Sequence, residues 1–277
     1  MTTIIERENL NRQYSPSSVA QGYRETIERY AKCSDDVLKK YKSRKLNFGK
    51  TAHEYIVMFE PESVQWNSVL LFIHGGYWQE LSAEESCFMA EEMLARGIAY
   101  GALNYTLAPE ATLAEIVEQC VAAVKALSAA LPDTRIVIAG SSAGAHLTAM
   151  LMSTDWNAHG LGATPFHGAV LISGIYDLRP LVSTYINEPL GLDIETAESL
   201  SPLLLAPVAH VPAFICYGEN ETHAFKMQSQ GYLAHLSGAG GKAHIHEVEG
   251  RDHFDILFDL CQPVSRVFRD TLSLLGE

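Results

Sequence analysis

The chain has 277 residues, 47% hydrophobic and 19% charged, a balance that supports a buried core and excludes an intrinsically disordered protein. Its 20 Lys and Arg against 33 Asp and Glu give a formal net charge of −13, which argues against a nucleic-acid or anionic-membrane partner. Five cysteines (Cys33, Cys87, Cys120, Cys216, Cys261) are scattered without C-x-x-C spacing, against a disulfide framework or a zinc site.

Residues 1–8 carry neither a basic start nor a long apolar run. No later segment has the length needed to cross a bilayer, so a cytoplasmic location is expected. Residues of about 12–42 read as an N-terminal helical extension. The basic run from Lys39 to Lys45 reads as a solvated helix end and loop. Apolar, β-branched or aromatic runs then recur at 55–59, 69–73, 98–103, 136–139, 169–172, 213–217 and 243–248. Several are continuous rather than alternating, as parallel strands covered on both faces require.

Helical patterns separate these runs. The clearest places Leu113, Ile116, Val117, Cys120, Val121, Val124 and Leu127 on one face, with Glu115, Glu118 and Lys125 opposite. Alternation of strand and helix predicts a single α/β domain over residues 1–277. Its sheet is mostly parallel with helices on both faces, and its ligand cleft lies beyond the carboxyl ends of the strands. The stretch of about 176–209, with Pro180, Pro189, Pro202 and Pro207, is too long for a plain connection. It reads as a small cap over that cleft.

Chemistry concentrates at strand ends. Gly140-Ser141-Ser142-Ala143-Gly144 follows the run at 136–139 and opens a helix of small residues, the strand-turn-helix setting in which a G-x-S-x-G presents a nucleophile, here Ser142. After the run at 69–73 comes His74-Gly75-Gly76-Tyr77-Trp78. Gly75 and Gly76 let backbone N–H groups face a substrate oxygen, and the N–H of Ala143 completes an oxyanion hole. His74 is read as a brace for that loop. A late histidine must serve as base, and His253 in Gly250-Arg251-Asp252-His253 follows the last strand pattern. The acid should follow the run at 213–217, where both Glu219 and Glu221 stand. The third position after Gly218 favours Glu221. The order serine, acid, histidine is that of the α/β-hydrolase fold.

The remaining histidines read more plainly: His146 as packing or capping beside the elbow, His244 and His246 as one strand face, and His223 as a rival base. There is no G-x-G-x-x-G after a strand, no P-loop lysine and no ligand cluster, so neither cofactor nor metal is expected.

The string His74 to Gln79 with the elbow Gly140 to His146 resembles the kynurenine formamidases (arylformamidases), an esterase- and lipase-like branch of the α/β-hydrolase superfamily. The similarity runs nearly end to end. It includes Gln13-Tyr14-Ser15-Pro16, Ala108-Pro109, Ser173-Gly174-Ile175-Tyr176-Asp177-Leu178, Ser201-Pro202 and Asp252-His253-Phe254-Asp255. The resemblance implies hydrolysis of N-formyl-L-kynurenine to formate and L-kynurenine, with Ser142 attacking the formyl carbon. Tyr77 and Trp78 would then narrow the acyl side, Trp78 either stacking on the aryl group or buried against the cap. Two departures stand out. Members usually carry aspartate where Glu221 stands, and no lysine or arginine offers itself to a substrate carboxylate. A small-acyl carboxylesterase or other amidase on the same scaffold is the alternative, and a non-catalytic ligand-binding hydrolase fold a remote one. The expected partner is a small aryl formamide or ester; the chain could also pair as a homodimer.

Overall fold

A computed structural model describes residues 4–62, 65–162 and 164–277; residues 1–3 of the amino-terminal segment lie outside it. In chain order its strands are β1 Ser43–Asn47, β2 Tyr55–Phe59, β3 Ser68–Ile73, β4 Ala99–Leu103, β5 Arg135–Ser141, β6 Gly168–Ile172, β7 Ala213–Gly218 and β8 Ala243–Val248. The α-helices are α1 Ile4–Gln13, α2 Tyr23–Lys40, α3 Ala90–Leu94, α4 Leu113–Ala130, α5 Ala143–Ser153, α6 Asn187–Leu190, α7 Ile194–Ser199, α8 His223–Gly238 and α9 Arg266–Leu275. The strands form one sheet in the order β1-β2-β4-β3-β5-β6-β7-β8. β2 pairs antiparallel with both its neighbours, and every other pairing is parallel.

The continuous apolar runs are explained by cover on both faces. Along β3, Val69, Leu71 and Ile73 enter one core while Leu70 and Phe72 enter the other; β5 divides in the same way, Ile136 and Ile138 against Val137 and Ala139. α4, α5 and α8 pack the first core; α2, α3 and α9 pack the second. All seven apolar positions expected on one face of α4 are buried, and Thr112 with Glu115 closes its first turn as a capping box.

The basic run from Lys39 to Lys45 departs from expectation in its second half. α2 does end at Lys40, but residues 43–47 form β1 rather than loop. This edge strand is exposed at four of its five positions. Its backbone pairing with β2 stabilises it, while charged side chains on an edge discourage further strand addition. No apolar alternation marks such a strand in sequence.

Helical structure begins before residue 12, where the extension was expected: α1, a 3₁₀ turn at Pro16–Ser18 and α2 precede β1. α1 buries none of its residues. The segment behind it docks onto the start of α8: Thr222 donates to the Gln13 carbonyl at 2.6 Å and the Gln228 amide to the Tyr14 hydroxyl at 3.0 Å.

Candidate active site

β5 ends at Ser141, and the chain reverses at Ser142 with φ 55° and ψ −116° before entering α5. A non-glycine residue in such a conformation costs on the order of 1–3 kcal/mol. Surrounding bonds hold it there. The Ser142 N–H donates to the Ile172 carbonyl at 2.8 Å, and its own carbonyl accepts from the His146 N–H at 3.1 Å. Gly144 is obligatory, since a Cβ there would lie 1.9 Å from the Ile73 carbonyl oxygen. The turn sets Ser142 at the amino end of α5. The Ala143 N–H in that first turn has no carbonyl acceptor within the helix.

The loop after β3 folds back on itself, with the Gln79 and Glu80 N–H groups both donating to the Gly76 carbonyl at 2.9 Å. Gly76 has φ 92°, and a Cβ on it would lie 2.2 Å from the Glu80 carbonyl oxygen. His74 is buried beneath this loop. Its Nδ1 lies 2.9 Å from the Gly75 carbonyl oxygen and its ring stacks on Tyr105 with centroids 4.2 Å apart. Burial pushes its pKa down to about 4, so the ring is neutral near pH 7 and serves as a brace.

Glu221 stands in the turn after β7. Oε1 of Glu221 accepts from the Gly218 N–H at 2.7 Å and the Ser173 hydroxyl at 2.5 Å, while Oε2 lies 2.8 Å from Nδ1 of His253. With Nδ1–H donating to the carboxylate, the lone pair of His253 resides on Nε2. Phe225 packs edge-on against the imidazole, with centroids 4.4 Å apart. Glu219, the other acid considered, accepts instead from the Gly250 N–H at 2.8 Å on the exposed side of the turn. His223 stands exposed at the start of α8, apart from this cluster.

Ser142, His253, Gly75 and Gly76 line one cavity of about 260 Å³. Its walls are aromatic and aliphatic: Tyr23, Ile27 and Tyr30 from α2, Tyr77 from the loop after β3, Tyr185 and Ile186 from the segment after β6, and Phe254. Among the described lining residues Glu80 is the only carboxylate, and none is lysine or arginine. Of residues 176–209, Tyr185 and Ile186 alone reach this cavity. Hydrogen bonds tie the segment after β6 to the amino-terminal segment and to the loop after β3. The Ser15 and Tyr185 hydroxyls lie 2.7 Å apart, and the Gln79 amide donates to the Ile186 carbonyl at 2.9 Å.

Trp78 lies in the interior. It is fully buried, meets His146 edge-on with centroids 4.9 Å apart, and is absent from the cavity lining. The positive φ values of Tyr77 and Trp78, 50° and 61°, send the neighbouring rings to different places; only Tyr77 faces the cavity, its hydroxyl donating to the Tyr14 carbonyl at 2.5 Å. His146 is likewise interior, with Nε2 2.8 Å from the Leu200 carbonyl oxygen and a pKa pushed down to about 4 by burial. His244 lies 3.2 Å from Asp270 at the surface. Among the described residues no group of three or more His, Cys, Asp or Glu could hold a metal ion, and no helix is long and apolar enough to cross a membrane.

Sequence reasoning missed the contribution of α2. Tyr23, Ile27 and Tyr30 fall at i, i+4 and i+7 and therefore share one helical face, a signal that marks a buried face without saying what it covers. Ser173, first residue of the string Ser173 to Leu178, carries no signal of its own in the sequence.

Comparisons with known proteins agree with this architecture. A family model described as an alpha/beta hydrolase fold matches residues 70–256. The chain is 31% identical to a kynurenine formamidase of Salmo salar over 291 residues, covering 99% of this chain and 98% of the relative. It is 32% identical to one of Danio rerio over 237 residues, covering 83% and 80%. A crystal structure from Silicibacter sp., provisionally named a thioesterase, superposes with a TM-score of 0.85 at 26% identity, covering 97% of this chain and 99% of that one. An esterase of Pyrobaculum calidifontis, 18% identical, shares the fold with a TM-score of 0.72 over 100% of this chain and 99% of its own. The chain is a hydrolase of the α/β-hydrolase fold and belongs to the kynurenine formamidase family.

Proposed function

We propose that this hydrolase cleaves N-formyl-L-kynurenine to formate and L-kynurenine through a Ser142-His253-Glu221 triad and a formyl-enzyme. The reading rests chiefly on the buried Glu221–His253 pair opening onto the same small aromatic cavity as Ser142. Nε2 of His253 takes the hydroxyl proton as Ser142 Oγ attacks the formyl carbon. The resulting oxyanion is met by N–H groups of the Gly75–Gly76 loop and of Ala143. His253 then gives the proton to the departing aryl nitrogen, the C–N bond breaks, and L-kynurenine leaves. Water, deprotonated by the same imidazole, attacks the formyl ester, releasing formate and restoring the serine. A formyl group carries no carbon chain, which suits a cavity crowded by Tyr77 beside the oxyanion loop. Tyr23, half-buried in the cavity wall, is the ring we place against the aryl group.

A second reading, a small-acyl carboxylesterase, draws support from the absence of lysine and arginine among the described cavity residues, since a carboxylate substrate finds no cation there. The ratio of kcat/KM on N-formylkynurenine to that on p-nitrophenyl acetate decides between them. A formamide slower by orders of magnitude favours the esterase. Loss of both activities in Ser142→Ala, with a fluorophosphonate probe no longer attached, tests the nucleophile.

A further inference from the structure

Ser173 sits where backbone geometry and side-chain chemistry pull in opposite directions. It directly follows β6, has φ 53° and is wholly buried. Glycine suits such a backbone far better than serine. The hydroxyl is what a glycine would forfeit, and it is spent on one contact, donation to Oε1 of Glu221 at 2.5 Å. The Ser173 N–H donates to the Cys216 carbonyl at 2.8 Å, so the residue is locked to β7, the strand that carries the acid.

A glutamate side chain has one more rotatable bond than an aspartate, and its carboxylate plane is correspondingly less determined. Two donors on Oε1, the Gly218 N–H and the Ser173 hydroxyl, leave Oε2 directed at His253. We infer that Ser173 is a positioning residue for the triad: its hydroxyl fixes the rotation of the Glu221 carboxylate, and through it the imidazole of His253. The inference rests on the triad reading above.

The test compares Ser173→Gly with Ser173→Ala. Removing a hydrogen bond to a charged acceptor should lower kcat about 10- to 100-fold in both. KM should stay within about twofold, because Ser173 is outside the cavity lining. Ser173→Gly should keep or raise Tm, because it relieves the backbone, whereas Ser173→Ala should lower it. The downfield Nδ1 proton resonance of His253 should move in both variants. A Ser173→Gly enzyme with kcat within threefold of the parent and an unmoved resonance overturns the inference, as does a loss of kcat no larger than the loss of folded protein. Ser142→Ala separates the two levels. If it keeps activity the triad reading falls and this inference with it; if it is dead while Ser173→Gly is unimpaired, only the positioning role falls.

Discussion

Oε2 of Glu221 lies 2.8 Å from Nδ1 of His253, the carboxylate fully enclosed and the imidazole side chain 5% exposed. The pair joins the turn after β7 to the loop after β8, two segments 32 residues apart in the chain. Glu221→Gln keeps the shape and removes the charge, so the amide can favour the wrong tautomer. We expect kcat to fall by about 10³- to 10⁴-fold with the fold intact by circular dichroism. Glu219→Gln should change kcat by less than about threefold, since its carboxylate serves the Gly250 N–H. Reversal of these two effects would move the acid to Glu219.

Trp78→Ala should act on stability rather than on substrate. Truncating a fully buried tryptophan costs about 3–5 kcal/mol, read as a lower Tm or urea midpoint. The fraction that remains folded should keep its KM. Tyr23→Ala, by contrast, removes a cavity wall and should raise KM with little loss of Tm. A Trp78→Ala enzyme of parental stability and raised KM would return that ring to the substrate.

Gly144→Ala tests the elbow. The added methyl would meet the Ile73 carbonyl oxygen at 1.9 Å, and backbone cannot yield as a side chain can. Destabilisation of about 3 kcal/mol or more is expected, seen as insoluble expression or a collapsed Tm.

Acid stability follows from two histidines held neutral. His74 and His146 have pKa values pushed down to about 4 by burial, against about 6.5 in the unfolded chain. Between those limits the unfolded state binds more protons than the native one, so stability rises with pH and is lost on acidification from about 6.5 towards 4. Each contributes a slope of about 1.4 kcal/mol per pH unit. Denaturant titrations at intervals between pH 7 and 4.5 should show it. His146→Gln should remove about half of that part of the slope.

Charge at the cavity supplies a last prediction. With Glu80 its only carboxylate and no cation in the described lining, the site should prefer leaving groups that carry an ammonium. Because Glu80 is exposed, Glu80→Gln should raise KM for N-formylkynurenine only severalfold and leave p-nitrophenyl acetate unchanged. Equal effects on both substrates would contradict an ionic contact.

What the chain alone determined was local. Apolar, β-branched or aromatic runs, several of them continuous, marked the seven inner and far-edge strands, a 3.6-residue period marked α4, and the G-x-S-x-G and His-Gly-Gly strings stood at strand ends because their glycines answer a turn formed within a few residues. The order of Ser142, Glu221 and His253 along the chain followed from the same fold. Tertiary structure decided what depends on distant partners. β1 is invisible to apolar patterning, since its stability comes from pairing with β2. Adjacent rings at 77 and 78 face opposite environments because of backbone turns no pattern announces. α2, far from the elbow in sequence, supplies much of the cavity wall, and the packing of β6, β7 and the His253 loop turns the carboxylate of Glu221, not that of Glu219, inward. Local rules are written in neighbouring residues; contacts across many tens of residues are set only when the sheet closes.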